Sequence, residues 1–178
     1  MSTRTAQFYN LQKSFETRYL SLTHSFNAET ISISLKVNAP YISTKSFAQT
    51  TRVLERLIPS IFTSQCFNDL DLPFSEEVKN TEIGHLLEHI LLELLCIEKM
   101  NHGYDEADFS GETSWNWIKE PHGTFRITIN CLIEDFVFFM PSLEKSIQVL
   151  EEIMVSNLQD SRNVDSFFHP TYSSSLTI

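Results

Sequence analysis

The sequence predicts an α+β fold, a small mixed or antiparallel sheet with helices packed on one face. Three observations predict it. Thr30–Val37, "TISISLKV", alternates apolar and polar residues with a period of two, as a half-buried strand does. Residues 82–100 carry a broad apolar stripe at helical spacing. Residues 113–120 and 123–134 read as two strands around the turn "EPHG", the second alternating through Phe125, Ile127, Ile129, Cys131 and Ile133.

The remaining elements follow in chain order. Residues 1–29 are polar with scattered aromatics, show no clear period and are assigned to an N-terminal extension. From 46 to about 62, Phe47, Val53, Leu54, Leu57, Ile58 and Ile61 recur at helical spacing, with Pro59 expected to kink or end the element. "NDLDLPFSEEVKN" is read as a polar connection. The helix over 82–100 is preceded by the capping candidates of "NTE" and closed by "NHG", with Gly103 suited to a left-handed C-terminal position. "YDEADFSGE" is an acidic loop. A last helix starts at Pro141, with Leu143, Ile147, Leu150 and Met154 as its core stripe. The domain is therefore placed at 30–158, followed by a polar, Ser-rich, flexible tail over 159–178.

Composition narrows the function. The chain of 178 residues has a formal net charge of −10, which speaks against a nucleic-acid binder because phosphate contacts need clustered Lys and Arg. Only four glycines are present and no phosphate-binding loop occurs. The three cysteines, Cys66, Cys96 and Cys131, are odd in number and contain no C-x-x-C, so neither a disulfide framework nor a zinc ribbon is indicated. No signal-peptide pattern and no membrane span is read, and the expected setting is soluble, reduced and cytoplasmic.

The chemistry concentrates in "TEIGHLLEHILLEL". His85 and His89 lie four residues apart on the flank of the apolar face, where positions i and i+4 stack and can reach one cation together. With Glu88 they give H-x-x-E-H, the order of the inverted zincin motif. Zinc in a catalytic site takes three protein ligands and keeps one position open. A carboxylate next to a ligand can take a proton from water and pass it to a leaving amine. No spacing rule selects the third ligand. Glu151 is favoured, since a ligand from a second helix would clamp the first, and Glu112 in "SGETSW" is the alternative. Cys96 reads as a small residue within an apolar helix. Trp115 and Trp117 read as packing or partner-facing residues on one strand face.

"GHLLEHILLEL" resembles a segment of the N-terminal domain of cyanophycin synthetases. "VLERLIPSIFTSQCF", "FSGETSWNWIKEPHGTFRITINCLIE" and the final helix are similar to its flanking parts, over about residues 30–155. The motif also resembles that of pitrilysin-type peptidases. The resemblance implies a domain that binds the polymer and, in many members, a metallopeptidase-like site that cuts it. His85 and His89 would then be metal ligands and Glu88 the base. The ATP-dependent ligase domains of such synthetases have no room in 178 residues. Two departures concern the substrate: the family's Gly-Arg-Thr stands here as Gly111-Glu112-Thr113, and its Gly-rich turn as "NDLDLPFS". The expected function is zinc-dependent hydrolysis of amide bonds in a peptide or cyanophycin-like polymer, whose arginine-like cations would meet Asp105, Glu106, Asp108 and Glu112. The alternative is a non-catalytic polymer- or protein-binding or assembly module.

Overall fold

The structure is a computed structural model that describes residues 13–27, 29–67 and 72–166. Five strands form one sheet: β1 (Lys13–Glu16), β2 (Leu20–Asn27), β3 (Thr30–Val37), β4 (Ser110–Ser114) and β5 (Thr124–Asn130). Their order is β1-β2-β3-β5-β4 and every pairing is antiparallel. The sheet is thus antiparallel throughout, not mixed. Four helices accompany it: α1 (Thr50–Leu57), α2 (Phe74–Glu77), α3 (Ile83–Asn101) and α4 (Phe136–Ser166). A short 3-10 helix over Pro59–Thr63 follows α1, consistent with Pro59 ending that element.

The core lies between one face of the sheet and the helices. Leu20, Leu22 and Phe26 of β2, Ile31, Ile33, Leu35 and Val37 of β3, and Phe125, Ile127 and Ile129 of β5 point into it. Helix α3 supplies Leu86, Leu87, Ile90, Leu91 and Leu94, and α4 supplies Phe139, Leu143, Leu150 and Met154. The opposite sheet face shows Ser32, Arg126, Thr128 and Asn130 to solvent, the alternation expected when only one face is covered. Gly84 lets α3 lie close to β5: a Cβ there would sit 2.4 Å from the Phe125 ring. Gly103, at φ 88°, turns the chain after α3.

Three expectations are corrected. The first hairpin strand lies earlier than the sequence suggests, at Ser110–Ser114, and a longer turn replaces the four-residue "EPHG". Trp115 and Trp117 sit in that turn, stacked on each other at 6.0 Å and edge-on to Phe125, and Trp117 Nε1 donates to the Thr124 carbonyl at 2.9 Å. Second, "NDLDLPFSEEVKN" contains α2, because Phe74 is fully buried and anchors it. Third, α4 begins at Phe136, and Pro141 lies inside it. Proline there removes one hydrogen bond near the helix start, and burial of Phe138 and Phe139 outweighs that loss. Lys99 ties this start to α3 through Asp135 at 2.9 Å. Helix α4 continues through Ser166, past the point where the sequence places the tail. Residues 13–27, which the sequence pattern left unassigned, form β1 and β2.

Candidate metal centre

Helix α3 carries the centre. Its apolar stripe fixes the rotation of the helix against the sheet, and the i, i+4 spacing then turns His85 and His89 to the same side. Their ring centroids are 4.8 Å apart. The 3-10 helix after α1 brings the chain back to this side, so that Cys66 Sγ stands 3.6 Å from His85 Nε2. One ligand atom each from Cys66, His85 and His89 lies within 4.8 Å of the others. Tetrahedral bonds of about 2.3 Å to sulfur and about 2.0–2.1 Å to nitrogen put such atoms roughly 3.5 Å apart. The three residues could therefore hold a metal ion after sub-ångström to ångström adjustments.

The outer contacts of the histidines suit that role. Ser64 Oγ donates to the Ile61 carbonyl at 2.8 Å, so toward His89 Nδ1, at 3.4 Å, it acts as acceptor. The proton of His89 is then on Nδ1 and its Nε2 lone pair is free. His85 Nδ1 meets Thr81 Oγ1 at 2.8 Å and Glu77 Oε1 at 4.0 Å. The carboxylate favours a proton on Nδ1, leaving Nε2 as the atom turned to Cys66. Oxygen partners of this kind on the far nitrogen orient metal-binding imidazoles. Phe74 stacks on His89 at 3.9 Å and locks its ring.

Electrostatics keep both rings neutral. Burial lowers the pKa of His85, against a smaller opposing pull from Glu82. Burial, then the neighbouring His85, lowers His89 to about 3. Neutral imidazole is the form that binds a metal. Glu88 is only 6% exposed. Burial raises its pKa, the Thr113 hydrogen bond opposes this, and the charge of Glu112 adds to it. Thr113 Oγ1 donates to Glu88 Oε2 at 2.5 Å, and Oε1 lies beside Gly111, where a Cβ would come within 3.1 Å of it.

His85, Glu88 and His89 open into a cleft of about 1030 Å³ between α3, β4 and the segment around Ser64–Phe67, whose lining includes Ser64, Gln65 and Phe67 but not Cys66. Glu77, Glu82, Glu88, Glu93, Asp108 and Glu112 line it, and among the described residues no Lys or Arg does. Of the two expected third ligands, Glu112 lines the cleft. Glu151 is half-buried on α4 and is not among the cleft residues. Cys66, which the sequence reading did not propose as a ligand, stands where a third ligand belongs. Its signal in the sequence was the place of Cys66 in "VLERLIPSIFTSQCF", the segment before the histidine helix that shares the family resemblance. Asp105 and Glu106 are exposed in the loop after α3, outside the cleft lining. Cys96 is half-buried at the cleft, near the Ala107 carbonyl at 3.6 Å, and burial raises its pKa first, with Glu93 adding to the rise.

Residues 31–118 match the family model of the cyanophycin synthase-like N-terminal domain. The matched stretch runs from β3 to just past β4. It contains Cys66, His85, Glu88, His89 and Glu112 and leaves β1, β2, β5 and α4 outside. No curated protein matches the chain. No described helix is long and apolar enough to cross a membrane.

Proposed function

We propose that this chain is a metal-dependent hydrolase of amide bonds in a peptide or cyanophycin-like polymer, with zinc held by Cys66, His85 and His89. The observation that carries the reading is the convergence of the Cys66 sulfur and two imidazole nitrogens of α3 within 4.8 Å, beside a cleft that His85, His89 and Glu88 of the same helix line. When bound, zinc would polarise a scissile carbonyl and acidify water. The protein's own groups do the rest. Ser64, Thr81 and Phe74 hold the two imidazoles in place. Thr113 occupies Glu88 Oε2, which leaves Oε1 to take the proton of the attacking water and to return it to the leaving amine. A carboxyl whose pKa is raised by burial is a stronger base than an ordinary one and holds the proton more readily until it is passed to the amine. The match to the cyanophycin synthase-like N-terminal domain supports a polymer substrate of peptide type.

Elemental analysis of protein purified without a metal-affinity tag tests the reading. About one zinc per chain is expected for the wild type, and a large loss in the His85→Ala, His89→Ala double variant and in Cys66→Ser. Equal metal content in all three proteins removes the centre. Metal retained together with no hydrolysis of peptide or cyanophycin would favour the binding-module reading.

A further inference from the structure

Among the described residues the sheet ends at β4, and β4 forms one wall of the cleft. The hydrogen bonding of the sheet fixes which of its backbone groups are free. Val37 N–H donates to the Gly123 carbonyl at 2.9 Å, and Cys131 N–H to the Glu29 carbonyl at 3.0 Å. In the β3–β5 register these pairs bracket Ile31 with Ile129, Ile33 with Ile127 and Leu35 with Phe125. Bonded and non-bonded pairs alternate along an antiparallel ladder. The odd-numbered residues of β5 therefore bond to β3 and its even-numbered residues bond to β4. Their partners on β4 are Ser110, Glu112 and Ser114. Gly111 and Thr113 turn their N–H and C=O groups the other way, away from β5 and out from the edge of the sheet. Among the described residues no hydrogen bond engages those four groups.

These are the same two residues that cradle the Glu88 carboxylate, Thr113 by its hydroxyl and Gly111 by lacking a side chain. We propose that β4 is a docking strand: an extended peptide pairs with Gly111 and Thr113 as a sixth strand and is thereby drawn across the His85–His89 side of α3. The proposal rests on the hydrolase reading of the site and adds how the substrate is held. Strand addition of this kind takes its affinity from main-chain bonds and its selectivity from alternate side chains. An exposed edge is ordinarily protected by charge, proline or a bulge; Ser110–Ser114 has no proline and no bulge, and its one charge, Glu112, repels an acidic strand but attracts a basic one. The lining favours a basic peptide over a second copy of this chain. Glu77, Glu82, Glu93, Asp108 and Glu112 attract cationic side chains, whereas another copy would bring a further net charge of −10.

Glu88→Gln protein, which should not consume the probe, is mixed with an acetylated and amidated octapeptide of alternating lysine and valine, and amide exchange is followed by NMR. The Gly111 and Thr113 amides should slow by about tenfold or more, while Glu112, already bonded to β5, should not change. N-methylation along the peptide should weaken binding by about tenfold at every second position and little at those between. Unchanged Gly111 and Thr113 amides, a loss without two-residue period, or full protection of both amides before peptide is added overturns the proposal. The hydrolase reading is separated by wild-type protein loaded with zinc. Protected amides with cleavage of neither this peptide nor cyanophycin keep the docking strand and remove the hydrolase, and cleavage without protection does the reverse.

Discussion

Burial holds His89 neutral down to a pKa of about 3, and this has a consequence for stability in acid. The unfolded imidazole takes a proton near its ordinary value of 6.5, whereas the folded one does not. The unfolded state then binds more protons, so stability falls as pH drops from 6.5 toward 3 and is unaffected above that window. His85, also lowered, acts in the same direction. Glu88, raised, acts in the opposite one: its charged form is penalised above its folded pKa, and acid relieves that penalty. Each pH unit inside the His89 window costs about 1.4 kcal/mol. Urea unfolding in the presence of a chelator should show a loss of about 2 kcal/mol between pH 6.5 and 5 that His89→Gln reduces. A variant with the wild-type slope would mean that His89 is not the titrating group. Thr113→Val tests the partner of Glu88. Loss of a bond that lowers the carboxyl pKa should move the acid limb of the pH–rate profile upward, and an unmoved limb would separate Glu88 from that limb. Of these residues, the sequence displayed His85, Glu88 and His89 as a group because one helical turn joins them. Cys66 was not legible, since its place depends on the return of the chain after Pro59.

At the scale of elements, the contact between α3 and β5 depends on Gly84. Alanine has the higher helix propensity by about 1 kcal/mol. Its methyl would nevertheless enter the ring of Phe125, with three ring and Cβ atoms at 2.4–2.8 Å, and Phe125 is fully buried. Gly84→Ala should therefore destabilise by about 1–3 kcal/mol in urea unfolding, and Gly84→Ala with Phe125→Leu should recover part of the loss. A single variant as stable as wild type would show that α3 and β5 can separate at little cost. Element legibility followed periodicity. Strand β3 and helix α3 were readable because each repeats cleanly at its own period. Strand β2 was not, because His24 stands on its buried face at 2% exposure and interrupts the alternation of Leu20, Leu22 and Phe26. Strand β4, "SGETS", has no apolar residue at all. Its inward positions are a glycine and a threonine because they face a carboxylate rather than the core.

For the molecule as a whole, metal binding should appear as stability. A ligand that binds only the folded state at about 100 times its dissociation constant adds about 2.7 kcal/mol. In a chain of this length each kcal/mol raises Tm by roughly 2–4 °C. Zinc added to chelator-treated protein should raise Tm by about 5–10 °C in differential scanning calorimetry, and Cys66→Ser should lose most of that rise. An equal rise in wild type and Cys66→Ser would remove the thiol from the centre and return the third position to a carboxylate such as Glu112. The sequence by itself determined the α+β class, the helix under the site and the pairing of His85 with His89. All three are local consequences of the periods 2 and 3.6 and need no distant residue. Tertiary structure alone decided the sheet order, the antiparallel pairing of β1 and β2 with the rest, the approach of Cys66 to the histidines and the exposure of the β4 edge beside Glu88. Each of these joins segments far apart in the chain, where side-chain spacing carries no record of which surfaces meet.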